Sequence, residues 1–366
     1  MVFYRQQYSC RKCKKYIYPT DEILEISSSM ASKRCAKAIS LTASFVPFEH
    51  TKNFLSQILM LDVSETCIEG ITHRVGAKIY HDADMKGRHP YGLCKEETNP
   101  KRVYAQTDGA MVPICSENKV IYKENKLGIV YKETDIVRKT NKNGEERIEI
   151  KNKHYVSNLG EEVDKFKKML YARCIEQGAK KAEEVIILGD GAPWINKFKE
   201  EYFPDAIQIL DWYHAVEHLW VTAHKLFGED DMKRCEEWVN PLKTLLWDGK
   251  VDTVIEKVTQ EALSRKKNQT PLLELRTYYL SRKNHMKYDE FRLKGYNIGS
   301  GAIESANKYI VGQRLKLSGM KWTISHANAM IHLRCKYYEG NWDVFWDNMN
   351  LKDYLDHDLN KESKAS

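Results

Sequence analysis

The sequence predicts an α/β protein with a long helical insertion and a helical N-terminal region, and three observations carry that expectation. Apolar residues alternate with a period of two between Val103 and Lys132, as in half-buried strands. Two uninterrupted apolar runs, Glu184–Leu188 and Ala206–Leu210, flank a helical stretch, the pattern of strands buried on both faces in parallel pairing. Residues 213–290 then read as wholly helical, with Trp, Leu and Phe among many Lys and Glu. The resulting order is three strands, helix, strand, helix, strand, with a last helix after the insertion. That is the order of a ribonuclease-H-like core.

Taken along the chain, the first element is a turn, Cys10-Arg-Lys-Cys13, among basic and aromatic residues. Two thiolates on one knuckle supply half of a tetrahedral zinc site, and the sequence contains no second Cys-x-x-Cys. Zn²⁺ and an unliganded thiol pair both fit Cys10 and Cys13. Residues 28–85 read as helical. Val46, Phe48, Phe54, Leu55, Ile58 and Leu59 form one apolar face, and Ser64 is placed to cap a second helix carrying Cys67, Ile68, Ile71, Val75 and Ile79. The pair fits either a DNA-reading helix-turn-helix or a plain helical hairpin. Residues 86–102 read as a linker. Three strands are expected at Val103–Cys115, Lys119–Lys123 and Leu127–Lys132, with Glu124-Asn125 as a turn, and Lys139–Arg147 as an exposed hairpin tip. Helices follow at Glu161–Gly178 and Ala192–Tyr202, and Gly299-Ser300-Gly301 leads into a helix from Ala302 to Leu317.

The chain has 366 residues, 42% of them hydrophobic and 30% charged, enough for two or three domains with a charge-rich surface. The expected division is a partial zinc-ribbon-like segment (1–27), a helix-turn-helix-like region (28–98), the first part of the core (99–212), the helical insertion (213–297), a Glu-bearing helix closing the core (298–346) and a tail (347–366). No apolar run approaches a bilayer span and no secretory leader is visible, so a cytoplasmic protein with reduced cysteines and no membrane partner is expected. Net charge is only +7, but the basic residues cluster. Residues 1–37 hold eight Lys/Arg against three Asp/Glu, and residues 281–322 hold nine against three, which suits a polyanion.

Four carboxylates stand where chemistry is expected. Asp190 lies in a Gly-flanked turn after one buried strand, and Asp211 ends the next, at the strand ends where α/β sheets bind ligands. Asp108 interrupts a strand, where a charge needs a cation or a hydrogen-bond partner. Glu304 lies in the first turn of its helix. Each also has an ordinary structural explanation, Asp190 as a helix cap and Glu304 as an i,i+4 partner of Lys308. Together they are hard oxygen donors of the kind that bind Mg²⁺ or Mn²⁺.

With those residues in place the chain resembles DDE-type insertion-sequence transposases of the ISKra group, relatives of the Mutator-like class. The matching stretches are Val103–Pro113, Leu188–Ile195, Phe203–Trp220, Ile298–Lys308, Val311–Trp322, Asn328-Ala329, Leu333–Cys335 and Trp342–Trp346, and the likeness covers most of residues 8–346. The resemblance implies two Mg²⁺ (or Mn²⁺) ions held by Asp108, Asp190 and Glu304, with Asp211 in reserve for the second aspartate and His214 and His218 near the site. It implies double-stranded DNA as substrate, both element ends and target, a homo-oligomer on that DNA, and association with a bacterial nucleoid. Lys308, Arg314, Lys316 and Lys321 are candidate phosphate contacts on charge alone. Relatives of this group carry an earlier Cys-x-x-Cys pair that is absent here, so an N-terminally truncated copy is one expectation. A DNA-binding derivative without activity is the main alternative. A zinc peptidase is a minor one, resting on His214-Ala-Val-Glu217-His218.

Overall fold

The structure, a computed structural model, describes residues 6–20, 31–93, 99–117, 119–140, 146–265 and 267–350. At its centre is a five-stranded sheet made of β3 (Arg102–Ser116), β4 (Lys119–Lys132), β7 (His154–Leu159), β8 (Glu184–Gly189) and β9 (Ile207–Leu210), in the spatial order β7-β4-β3-β8-β9. In chain order of these five strands that is 3-2-1-4-5. β4 runs antiparallel to both its neighbours, and β3, β8 and β9 are parallel. A hairpin of β5 (Ile136–Thr140) and β6 (Glu146–Ile150) projects beside it, and most of the predicted tip, residues 141–145, lies outside the described residues. β1 (Tyr8–Ser9) and β2 (Tyr16–Ile17) form a small separate hairpin around the first cysteines.

The meander differs from the sequence reading. Glu124-Asn125 is not a turn, because β4 passes straight through it. Asn125 is fully buried, and its Oδ1 accepts from the Ser157 hydroxyl at 2.8 Å, so its polarity is satisfied across strands rather than in a loop. The third strand is β7, some twenty residues later.

Helices cover both faces. α4 (Val163–Glu176) and α5 (Pro193–Tyr202) close one face, where Phe166, Leu170 and Phe198 meet Val103, Ala105 and Ile187. On the other face the helices α6 (Trp212–Phe227), α7 (Met232–Trp247), α8 (Val251–Ser264), α9 (Thr270–Arg282) and α10 (Tyr288–Leu293) form the expected insertion and share one core with Tyr104, Tyr131, Ile186 and Ile209. α11 (Gly301–Ala306) returns to the sheet and widens into a π-helical stretch, Asn307–Gly312, before a final turn at Gln313–Leu315. The buried Arg334 guanidinium donates to the carbonyls of Tyr309 and Ile310 in this widened stretch, and so satisfies groups that an α-helix would pair internally. Arg334 lies on α12 (Ile324–Tyr338), which is followed by α13 (Trp342–Asn348).

Among the described residues the N-terminal helical region holds three helices where the sequence reading has two: α1 (Lys33–Phe45), α2 (Phe48–Leu59) and α3 (Glu65–Arg88). Pro47 separates the first two, since it lacks the N–H an uninterrupted helix would need. Ser64 caps α3 as the sequence predicts, its hydroxyl accepting from the Cys67 N–H at 3.3 Å. The helix runs on to Arg88 through residues that read as linker. Ile68, Ile71, His73, Val75 and Ala77 are buried, and Gly76 lies directly against the Ala329 carbonyl of α12. Among the described residues no helix is long and apolar enough to cross a membrane.

His332 of α12 is buried against β7, with Nε2 at 2.8 Å from the Ser157 carbonyl. Burial is the main reason that its pKa falls to about 4, and the Ser157 carbonyl opposes the shift. The unfolded chain therefore takes up this proton near pH 6.5, before the folded chain does. Stability is full above pH 6.5 and falls as pH drops towards 4, by roughly 3 kcal/mol from this residue. Urea unfolding at a series of pH values should show that slope, and His332→Gln should flatten it.

Candidate active site

Strand register brings three aspartates together. Gln106 of β3 stands opposite Leu188 of β8, and Asp108 and Asp190 each follow two residues later. Gly189 of β8 stands opposite Leu210 of β9, and Asp190 and Asp211 follow immediately. Asp108, Asp190 and Asp211 thus form a row across three neighbouring parallel strands at or just past their last pairs. This is the end of the sheet where ligands bind.

Each member is held differently. Asp108 is half-buried, with Oδ1 accepting from the Gly109 N–H at 2.7 Å and Oδ2 accepting from Asn307 Nδ2 at 2.8 Å. Burial raises its pKa. The bonds from Asn307 and Gly109 and the nearby His214 oppose the rise, while the charge of Asp190 adds to it. Asp190 Oδ1 accepts from the Ala192 N–H at 2.9 Å in the turn that precedes α5, whose N-cap residue is Ala192 and has no side-chain cap, so Asp190 is not the helix cap that the sequence allows. Asp211 is fully buried. One oxygen accepts from the His214 N–H at 2.8 Å, capping α6, and the other accepts from the Ser300 N–H at 2.6 Å. Burial pushes its pKa to about 6 against those bonds. Asp211 is therefore a tie between α6 and the start of α11.

Glu304 is exposed on α11, where it accepts from the Ser300 hydroxyl, and lies one helical turn from the Asn307 that holds Asp108. α11 is thereby fixed to the aspartate row at two points, Ser300 to Asp211 and Asn307 to Asp108. Neither Ser300 nor Asn307 was singled out from sequence, although the i,i+3 spacing of Glu304 and Asn307 is a signal that a helix-face reading can use. The three predicted carboxylates are brought to one end of the sheet but not into one tight cluster. Among the described residues, the group of three metal-capable side chains with ligand atoms within 4.8 Å of one another is Glu69, His73 and His326.

The insertion reaches back to this site, which sequence reasoning missed. Tyr278 of α9 donates its hydroxyl to the Asp190 carbonyl at 3.0 Å. Arg282 donates to the Gly191 carbonyl from Nε at 3.0 Å and from Nη2 at 2.8 Å, with its guanidinium 4.1 Å from the Tyr278 ring centroid. Gly191 has φ of 77°, and a Cβ there would lie 2.5 Å from Arg282 Nε, so glycine is required on both counts.

His214 sits beside the aspartates. Burial disfavours its charged form, but Asp211, Asp108, Asp190 and Glu217 outweigh this and raise its pKa. His218 turns away and stacks on Tyr278, with ring centroids 3.7 Å apart. The two histidines do not belong to the three-ligand group among the described residues, and the peptidase pattern falls on the capped start of α6.

Of the four basic candidates, Lys308, Lys316 and Lys321 are exposed. Arg314 is not available to a phosphate, which corrects its assignment. Only 1% of it is exposed, Nε donates to the Ala43 carbonyl at 3.0 Å, and the guanidinium faces the Phe48 and Trp322 rings. Arg314→Ala should cost about 2–4 kcal/mol of stability by leaving a cavity and an unpaired carbonyl. Lys321→Ala should leave stability within about 0.5 kcal/mol. If Lys321 touches phosphate, its loss should lower the salt slope of DNA binding by about one. Thermal melts and binding at several salt concentrations separate the two.

Cys10 and Cys13 are exposed on the tight β1–β2 turn, where the Cys10 carbonyl accepts from the Lys14 N–H at 2.8 Å. Hydrogen bonding from the Cys13 backbone, then its side chain, lowers the Cys10 pKa. Two further cysteines of the N-terminal region, Cys35 and Cys67, lie close enough to each other that Cys67 adds to the burial that raises the Cys35 thiol.

Fold and site define an α/β protein with a row of acidic residues across three adjacent parallel strands, in the middle of β3, where its pairing with β8 has ended, and directly after β8 and β9. The chain belongs to the uncharacterised protein family UPF0236, whose model matches residues 1–346. It is 25% identical over 341 residues to a "UPF0236 protein in vanSb 3′ region" of Streptococcus gallolyticus, covering 92% of this chain and 70% of that one. Among solved structures it aligns with a chain of the "Drosophila P element transposase strand transfer complex" at a TM-score of 0.28 and 14% identity, covering 92% of this chain and 86% of that one.

Proposed function

We propose that this protein is a DDE-type DNA transposase with a ribonuclease-H-like core, which hydrolyses phosphodiester bonds at the ends of a mobile element and joins the freed 3′ ends to target DNA. The observation that carries the reading is the alignment of Asp108 with Asp190 across adjacent parallel strands, in a sheet of order 3-2-1-4-5, with the Glu304 helix tied to Asp108 through Asn307. The order of elements along the chain, three strands, helix, strand, helix, strand, is what first suggested this core, and a sheet whose second strand runs antiparallel to its neighbours is compatible with it.

The residues fit a pair of Mg²⁺ or Mn²⁺ ions in their donor chemistry. Asp108, Asp190 and Glu304 offer hard oxygens, and burial first, with the charge of Asp190 as a smaller contribution, disfavours the Asp108 carboxylate in the way that a bound cation relieves. Asn307 Oδ1, on the side chain whose Nδ2 holds Asp108, is buried without a hydrogen-bond partner. Bound ions of this kind activate the attacking oxygen and stabilise the leaving one in phosphoryl transfer. The protein's own part is positional. Asn307 and Gly109 orient Asp108, the Ala192 N–H orients Asp190, and Asp211 fixes the start of the helix that presents Glu304. Exposed Lys308, Lys316 and Lys321 follow Glu304 along the same segment and provide positive charge for the DNA backbone.

The test is nicking of duplex DNA carrying the flanking ends of the element that encodes this chain. Strand cleavage that requires Mg²⁺ or Mn²⁺ and stops with chelator supports the reading. Tight binding to those ends without cleavage under any divalent ion would replace it with the DNA-binding derivative.

A further inference from the structure

Far along the chain from the aspartate row, two helices bring together side chains that neither the proposed reaction nor the fold accounts for. Glu69 and His73 lie one turn apart on α3, and His326 lies in the first turn of α12. Glu69 Oε1 is 3.7 Å from His73 Nδ1 and 3.9 Å from His326 Nδ1, and the two imidazoles are stacked with centroids 3.9 Å apart. His73 is only 2% exposed, and its Nε2 is buried with no hydrogen-bond partner. A buried imidazole normally finds a partner for its ring nitrogens. The other ring nitrogen of His73, Nδ1, faces a carboxylate too distant to bond, and the ring is stacked on a second imidazole.

We propose that Glu69, His73 and His326 form a binding site for a divalent transition-metal ion of the zinc class, joining α3 to the start of α12. Two imidazoles and a carboxylate are a donor set that suits such ions. Bonds of about 2 Å in tetrahedral geometry place ligand atoms roughly 3.3 Å apart, so the two Glu69–histidine spacings need to close by roughly half an ångström and the stacked rings need to turn until their in-plane lone pairs converge on the ion. Burial, then His326 and Arg314, lower the His73 pKa to about 3, and burial lowers that of His326 against Glu69, so both rings are neutral at pH 7, the form that coordinates metal. Glu69 and His326 are part-exposed, which gives an ion a path in, while Phe48 and Trp322 pack edge-on against the inner histidine. Three protein ligands leave one position for water, and no group in this cluster is shared with the aspartate row.

The experiment uses the full chain, stripped with chelator and titrated with Co²⁺ and with Zn²⁺ in a Cys10→Ser/Cys13→Ser background, which removes the thiols as competing ligands. Co²⁺ absorption in the visible reports coordination, and thermal unfolding with Zn²⁺ reports coupling to the fold. The expected result is one equivalent with the intense visible absorption of tetrahedral Co²⁺, apart from any weakly absorbing oxygen-bound Co²⁺ at the aspartates, retained in Asp108→Asn, with a melting temperature raised by a few degrees. Glu69→Gln and His326→Gln should each weaken binding at least tenfold and remove the rise, while melting like the parent without metal. Equal binding by His326→Gln, or no Co²⁺ bound by the parent, would overturn the proposal, and the cluster would then be a stacked histidine pair beside an ordinary carboxylate.

Discussion

Asp108→Asn is expected to abolish DNA strand cleavage, by on the order of a thousandfold or more, about 4 kcal/mol of transition-state stabilisation. The substitution keeps size and shape. It also keeps one acceptor for Asn307 Nδ2 or the Gly109 N–H, so the strand and the α11 contact survive. What it removes is one charge of the pair formed with Asp190, and with it the hard anionic donor the reaction requires. Affinity for duplex DNA should be unchanged or tighter, because one negative charge is taken away from a site that receives phosphate. A nicking assay paired with binding at fixed salt reads both quantities. Undiminished cleavage by Asp108→Asn would remove Asp108 from the reaction, and loss of binding together with cleavage would point to misfolding or to a DNA-anchoring role.

The second large effect is on stability. Gly76→Ala should destabilise the protein by about 3 kcal/mol or more, since a Cβ at residue 76 would lie 2.2 Å from the Ala329 carbonyl oxygen. Both partners are backbone in the middle of helices, so neither can step aside without parting α3 from α12. Gly70 of the same helix is the control. A Cβ there meets only Arg74 Nη2 at 3.6 Å, and Gly70→Ala should stabilise by about 0.5–1 kcal/mol through helix propensity alone. Urea melts of the two variants should shift in opposite directions. Equal shifts would mean that the α3–α12 crossing is not the close backbone contact described.

What the sequence disclosed followed the range of the interactions. Ser64 and Asp190 were readable because a cap and a Gly-flanked turn are set by neighbours two or three residues away. The two buried strands, β8 and β9, were readable because a parallel strand covered on both faces is apolar throughout. Their register was not readable, yet it is register that sets Asp108 beside Asp190. Asn125 was misread because a polar residue in a strand looks like a turn until its partner, Ser157 on the neighbouring strand, is known. Arg314 was misread for a related reason. Charge in a sequence implies solvent, and nothing local reveals a guanidinium bonded to the Ala43 carbonyl between two aromatic rings. Tyr278 and Arg282 left no trace at all, because their contacts with Asp190 and Gly191 join segments nearly ninety residues apart.

The central claim is that the carboxylates of Asp108, within β3, and Asp190, directly after β8, share divalent metal. The most direct measurement is Mn²⁺ binding by the full chain, counted by the electron paramagnetic resonance of the free ion, in wild type beside Asp108→Asn and Asp190→Asn, with His326→Gln to account for the histidine cluster. The claim predicts Mn²⁺ bound by wild type and by His326→Gln, and lost from both aspartate variants. Undiminished binding in both aspartate variants, or none in the wild type, would contradict it.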